Sequence, residues 1–343
     1  MIEDLKFRIS ALFVCLIAAN LAAWAWAFAA FGGHPVLFGT AVLAYGFGLR
    51  HALDADHIAA IDNVTRKLMQ EGRPALATGL WFSLGHSTVV ILATLLVALG
   101  ASVLSDEYEN YREAGGTIGT IVSALFLFAI AAANMFVLAG VWRVFRRARK
   151  DGFYRDDDLD TLLSQRGFLG RLFRPLFALI RSGWQMYPLG FLFGLGFDTA
   201  TEIGVLGISA AQGSQGLAMS SLLVFPALFT AGMALVDTAD SVLMTKAYGW
   251  AFLNPIRKLY YNLTITAVSV LAALLIGGVE ALGLIVEKLS LHGGIWDYVL
   301  MLNEDFGALG YAIVALFALC WAVSIAIYRI KGYHRLESVV NSA

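Results

Sequence analysis

The sequence predicts an all-α integral membrane protein with eight transmembrane helices and both termini cytoplasmic, and three observations carry that expectation. The chain of 343 residues is 59% hydrophobic and only 14% charged, with a mean hydropathy of +0.72, which sets it apart from soluble domains of this length. Eight apolar stretches each reach the roughly 20 residues that one bilayer crossing needs. The basic residues then partition by side, as the positive-inside rule requires of a correct span count.

The first stretch, Ile9 to Phe31, follows Lys6 and Arg8. It is too long for the apolar region of a signal peptide and seven more follow it, so it reads as a retained helix. The second runs from Val36 to Ile61, the third from Ala75 to Ala101 and the fourth from Thr117 to Trp142. Between Arg143 and Arg181 the chain is too polar to cross, with an acidic run from Asp156 to Asp160. It reads as a cytoplasmic loop at about 143–183, with an interfacial helix expected near Phe168 to Ile180. The remaining spans are Trp184 to Gln212, Leu217 to Met244, Tyr260 to Val286 and Gly307 to Ile330. Residues 1–343 thus form a single polytopic domain with no separate soluble part.

With eight spans, 21 of the 24 Lys and Arg residues fall on the side of the termini, Arg66, Lys67 and Arg73 among them. Only Arg112 and Lys288 fall opposite, among acids such as Asp106, Glu107, Asp297 and Glu304, while Arg50 lies within the second span. A miscount of one span would scramble this division. The net charge of -1 offers no field for nucleic acid. Cys15 and Cys320 sit in apolar runs and read as packing residues, with neither a disulfide framework nor thiolate ligation in view.

Ionisable groups at a helix centre are costly to insert, so clusters of them within spans call for partners or a purpose. Four such clusters occur. The second span carries His51, Asp54, Asp56 and His57, followed by Asp62 and Asn63; the third carries His86 between Ser83 and Thr88; the fifth carries Asp198 and Glu202; the sixth carries Asp237 and Asp240. Counted from the basic flanks at about 1.5 Å per residue, all four lie in one band near the midplane. One shared interior site explains that more simply than four separate defects. On an ideal helix His51, Asp54 and His57 share a face, whereas Asp56 points away and is left for a supporting role, and Gly46 and Gly48 would permit a local unwinding.

Imidazole and carboxylate donors without Cys or Met select first-row divalent ions such as nickel, cobalt, zinc or copper(II), and no finer choice follows from donor type. The blander reading of a lone membrane His is an interhelical hydrogen bond, and Glu280 and Asn134 read as packing or pairing residues. An enzyme is disfavoured. There is no HExxH for a metalloprotease, no G-x-S-x-G beside His86, and the membrane interior offers only three histidines to a di-iron centre.

The stretch Arg50 to Asn63, RHALDADHIAAIDN, resembles the signature of the nickel/cobalt permease family, whose second helix bears H-x4-D-H, met here by His51, Asp56 and His57. LGHSTVV at Leu84 to Val90, LGFDTATE at Leu195 to Glu202 and GMALVDTADS at Gly232 to Ser241 are similar to that family's further motifs, in the same order. The resemblance implies an eight-helix fold, high-affinity uptake of nickel or cobalt across a bacterial-type cytoplasmic membrane, and metal handling by His51, Asp56 and His57. On that reading the metal is substrate rather than cofactor, and the partners are the ion and the lipid bilayer. Efflux by a related permease and metal binding without transport remain alternatives. Exporters of this kind tend to carry a His-rich loop, and the loop here has no His.

Overall fold

The computed structural model describes residues 2–100, 105–151, 180–195, 217–251, 255–304 and 306–330, together with 204–205, 208–209 and 212. Among these all regular structure is helical. The helices are α1 (Ile2–Phe31), α2 (Pro35–His51), α3 (Ala55–Gln70), α4 (Thr78–Gly100), α5 (Ser105–Asp151), α6 (Met186–Gly194), α7 (Met219–Leu222), α8 (Val224–Ala251), α9 (Pro255–Lys288), α10 (Ile295–Glu304) and α11 (Phe306–Ile330).

Among the described residues five helical stretches are long and apolar enough to cross a bilayer, and taking each of two bent pairs as one span raises the number to seven. Of the eight expected spans the fifth is described only in its first part, where a 3-10 turn at Gly183–Gln185 leads into α6. Asp198 and Glu202 lie outside the described residues, as do the expected interfacial helix, all but its last residue, and most of the expected loop at 143–183. The loop's first residues continue α5 as far as Asp151, where the run RVFRRARK is rich in good helix formers.

One expected span differs from a continuous helix. The second breaks after His51 and resumes at Ala55, with a bend of 51° between α2 and α3. The last is preceded by α10, joined to α11 at 82°, where the sequence reading expected only loop. The reason is that α10 is amphipathic and short, and a search for long apolar runs passes over it.

The helix α3 occupies the middle of the fold. It is among the least apolar helices, yet every residue from His57 to Leu68 is buried. That inverts the usual solvent-facing amphipathic pattern, as expected where lipid surrounds the protein and polar groups turn inward. Arg66 and Lys67, expected on the cytoplasmic flank, are on α3 and only 1% and 6% exposed. Lys67 donates from Nζ to the Ile180 carbonyl at 2.7 Å, and Arg73 from Nη1 to the Arg181 carbonyl at 2.9 Å, tying the end of α3 to the entry of the fifth span.

Small residues bring the neighbouring helices close. A Cβ on Gly79 of α4 would meet the Asp237 carbonyl of α8, and one on Gly190 of α6 would meet the Phe82 carbonyl of α4. A Cβ on Gly310 of α11 would meet the Leu53 carbonyl inside the break. Such contacts let backbones approach where lipid gives no hydrophobic drive to helix pairing.

Candidate metal centre

The break between α2 and α3 creates the site. Ala52 and Leu53 turn the chain, and Asp54, at φ -65° and ψ 148°, occupies the position that caps α3. An aspartate there ordinarily accepts from the next turn's amides. Asp54 instead makes no cap bond and directs its Oδ2 to His51 Nδ1 at 2.8 Å. His51, the last residue of α2, and His57, in the first turn of α3, therefore face each other across the break with ring centroids 4.5 Å apart.

His86 of α4 completes the group. Its Nε2 is 2.9 Å from His51 Nε2, and its ring centroid is 4.8 Å from that of His57. One nitrogen from each of the three histidines lies within 4.8 Å of the others, and all three side chains are buried. Two nitrogens of one first-row ion with bonds of about 2.0–2.1 Å sit roughly 2.9 Å apart at a right angle and about 3.4 Å apart in a tetrahedron. The His51–His86 separation thus already suits two ligands of one ion.

Carboxylates fix the tautomers. Asp54 takes the His51 Nδ1–H, which turns the Nε2 lone pair toward His86. Asp237 of α8 does the same for His57, accepting from Nδ1 at 3.3 Å. The His57 Nε2 is left as a buried acceptor with no hydrogen-bond partner. A buried polar atom without a partner costs free energy unless a ligand satisfies it. The carboxylate–histidine pairing is the one that orients imidazoles at metal sites and raises their basicity.

The other acids stand around this core. Asp237 Oδ1, Asp56 Oδ1 and Asp240 Oδ2 are buried and without hydrogen-bond partners. Asp56 stands in the first turn of α3, beyond the break, so the single continuous helix on which the expectation for it rested is not the one formed. Aromatic rings wall the histidines: Phe82 meets His57 edge-on with centroids 4.8 Å apart, and Phe229 lies 5.5 Å from His51. Water is thereby limited and each donor's field is strengthened.

Seven of the nine expected ligand candidates, His51, Asp54, Asp56, His57, His86, Asp237 and Asp240, fall in the described structure. His51, His57 and His86 converge, with Asp54 and Asp237 bonded to them. A second polar network, which the sequence reading did not assemble, follows on α3. Asp62 accepts from Tyr248 and, at 2.8 Å, from Ser269; Asn63 accepts at Oδ1 from Asn134 at 2.7 Å and from Arg66 Nη2 at 3.1 Å. Asn134 is thus a pairing residue, as expected, and Glu280 likewise accepts from Ser123 at 2.8 Å. The signal for the network was the spacing of Asp62, Asn63 and Arg66 on one helix; Tyr248 and Ser269 gave none.

Comparison with known proteins bears on this geometry directly. Residues 37–327 match the NicO family, described as high-affinity nickel-transport protein. The chain is 58% identical over 332 residues to a high-affinity nickel transport protein of Cupriavidus necator, covering 97% of this chain and 95% of that one. It is 58% identical over 318 residues to the hydrogenase nickel incorporation protein HupN of Bradyrhizobium diazoefficiens, covering 93% and 83%. It is 40% identical over 313 residues to the cobalt transport protein NhlF of Rhodococcus rhodochrous, covering 88% and 87%. No solved structure matches.

Proposed function

The chain belongs to the NicO family of nickel-transport proteins, and from that premise we propose that it imports divalent nickel, with cobalt as a second cargo, through the three-histidine centre. The observation that carries this reading is the buried, unpartnered Nε2 of His57, on a ring packed beside two other imidazoles. In this reading the chain sits in the cytoplasmic membrane with eight spans, both termini and the 143–183 loop inside. It performs no covalent chemistry and needs no resident cofactor.

The acids of the outer loops gather the cation, and the centre replaces part of its hydration shell with imidazole nitrogens. Asp54 and Asp237 hold the tautomers of His51 and His57, so no ring has to turn when the ion arrives. His86 must present its Nε2 lone pair in place of the hydrogen bond to His51. Asp56, Asp240, Asp198 and Glu202 complete the coordination shell or line the way out. A potential of 100 mV contributes about 2.3 kcal/mol per charge, and hence roughly twice that for a dication moving inward, so uptake needs no counter-ion.

Replacing His57 by Ala should abolish accumulation of radiolabelled nickel while membrane levels of the protein stay normal. Undiminished accumulation would reject the centre. Recording the direction of labelled flux in the same cells separates import from efflux and from binding without movement.

A further inference from the structure

Arg66 is the largest fully buried side chain among the described residues. A guanidinium stays charged at any accessible pH, and burial is tolerable when it is paired in a bidentate fork. Arg66 is not held that way. Nη1 donates to Thr266 Oγ1 at 2.9 Å and Nη2 to Asn63 Oδ1 at 3.1 Å, both neutral acceptors, and the buried Nε has no partner. Asp62, one turn earlier on α3, spends its carboxylate on Tyr248 and Ser269. Asp62 and Arg66 thus bond to different partners rather than to each other.

The position of this charge relative to the centre gives it a use. Beyond His57 the buried acids continue along α8 and α3: Asp237, which bonds His57, then Asp240 one turn on, and Asp62, which accepts from Tyr248 of α8. Arg66 stands at the end of that acidic series, about 14 Å from His57 along α3 at 1.5 Å per residue. Its tethers come from α3 itself and from α9, so the charge is fixed between two helices. Any cation passing between the centre and the Lys67 end of α3 must come within its field.

Resting on the reading of the three-histidine centre as the passage, we propose that Arg66 is a gate charge that seals the inner end of that passage against abundant cations while the centre is empty. An ion held only weakly at the histidines, such as magnesium, does not stay long enough to be joined by a rearrangement of Asp62 and Arg66. An ion that imidazole binds well does. Arg66 then determines selectivity without touching the metal.

The test uses the purified full chain in proteoliposomes with a magnesium-sensitive dye entrapped and an inward magnesium gradient. Arg66→Gln should raise magnesium entry on the order of tenfold or more, the effect of removing a unit charge about 15 Å from a dication at an effective dielectric near 20. Arg66→Lys, which keeps the charge, should stay tight, and nickel binding to the solubilised protein should persist in both. A tight Arg66→Gln, or an Arg66→Lys that leaks equally, overturns the proposal. The double variant Asp62→Asn/Arg66→Gln removes both buried charges and so eases folding; it should leak more than Asp62→Asn, which keeps the Arg66 charge, and a double variant as tight as Asp62→Asn overturns the proposal if Arg66→Gln does not fold. Loss of nickel uptake in His57→Ala beside a tight Arg66→Gln would sink the gate alone. Persistent uptake in His57→Ala beside a leaking Arg66→Gln would sink the centre alone.

Discussion

At the α2 end of α3, His57 holds a buried nitrogen that no protein group satisfies, whereas at the other end Arg66 holds a buried charge tethered by two neutral oxygens. Both ends belong to one helix of 16 residues, both are screened from the surroundings, and both place polar groups against α8 or α9. The first end has acceptors in excess, which suits an arriving cation. The second already contains a cation of its own. The contrast teaches that buried polar residues of one membrane helix can either offer acceptors to a cation or hold a cation of their own, and that only their hydrogen-bond partners tell the two apart.

The strongest way to break the comparison is at Asp237. Asp237→Asn preserves shape but removes the carboxylate that fixes the His57 tautomer. Supporting groups of this kind are worth about 10- to 100-fold in metal affinity. The half-saturating nickel concentration for uptake should rise by that factor, and an unchanged value would mean that His57 needs no orientation. The same variant should leave magnesium exclusion at the Arg66 end as it was.

Much of the first end was legible in the chain, and much of the second was not. His51, Asp54, Asp56, His57, His86 and Asp237 announce themselves because charge inside an apolar run is expensive and therefore visible. Common depth suggests a shared site, and the structure brings His51, His57 and His86 together with Asp54 and Asp237 bonded to them. The break at 52–54 was only half visible: Gly46 and Gly48 drew attention to unwinding, yet the turn falls at Ala52, Leu53 and Asp54, held from outside by Gly310 of α11. No local pattern encodes a contact from a helix so far along the chain. The burial of Arg66 is not legible for a related reason. A basic residue near a span's end ordinarily belongs to the flank, and only Thr266, Asn63 and the packing of α9 carry it inside.

A subtler test acts on the break without touching a ligand. Gly310→Ala would drive a methyl into the Leu53 carbonyl, so α11 or the turn must shift. Overpacking of this kind costs about 1–3 kcal/mol. Because the turn sets the His51–His57 approach, nickel uptake should fall several-fold at roughly that cost, with little change at the Arg66 end. Loss of magnesium exclusion alongside uptake would show that the two ends of α3 move as one body.

The smallest expected effect lies at the occupied end. Asn134 of α5 is 2% exposed and donates to Asn63 Oδ1, which also accepts from Arg66. Asn134→Ala removes one of these two donors, but the oxygen keeps the other, so no buried acceptor is orphaned. The cost should therefore be only about 1 kcal/mol, the net worth of one hydrogen bond, read as a modest drop in the thermal midpoint of the solubilised protein. Nickel affinity should not move, because Asn63 lies nearly two turns from His57 and no ligand rests on it. A fall in affinity matching that of Asp237→Asn would erase the distinction between the two ends of α3 and make the buried polar groups a single metal-responsive unit.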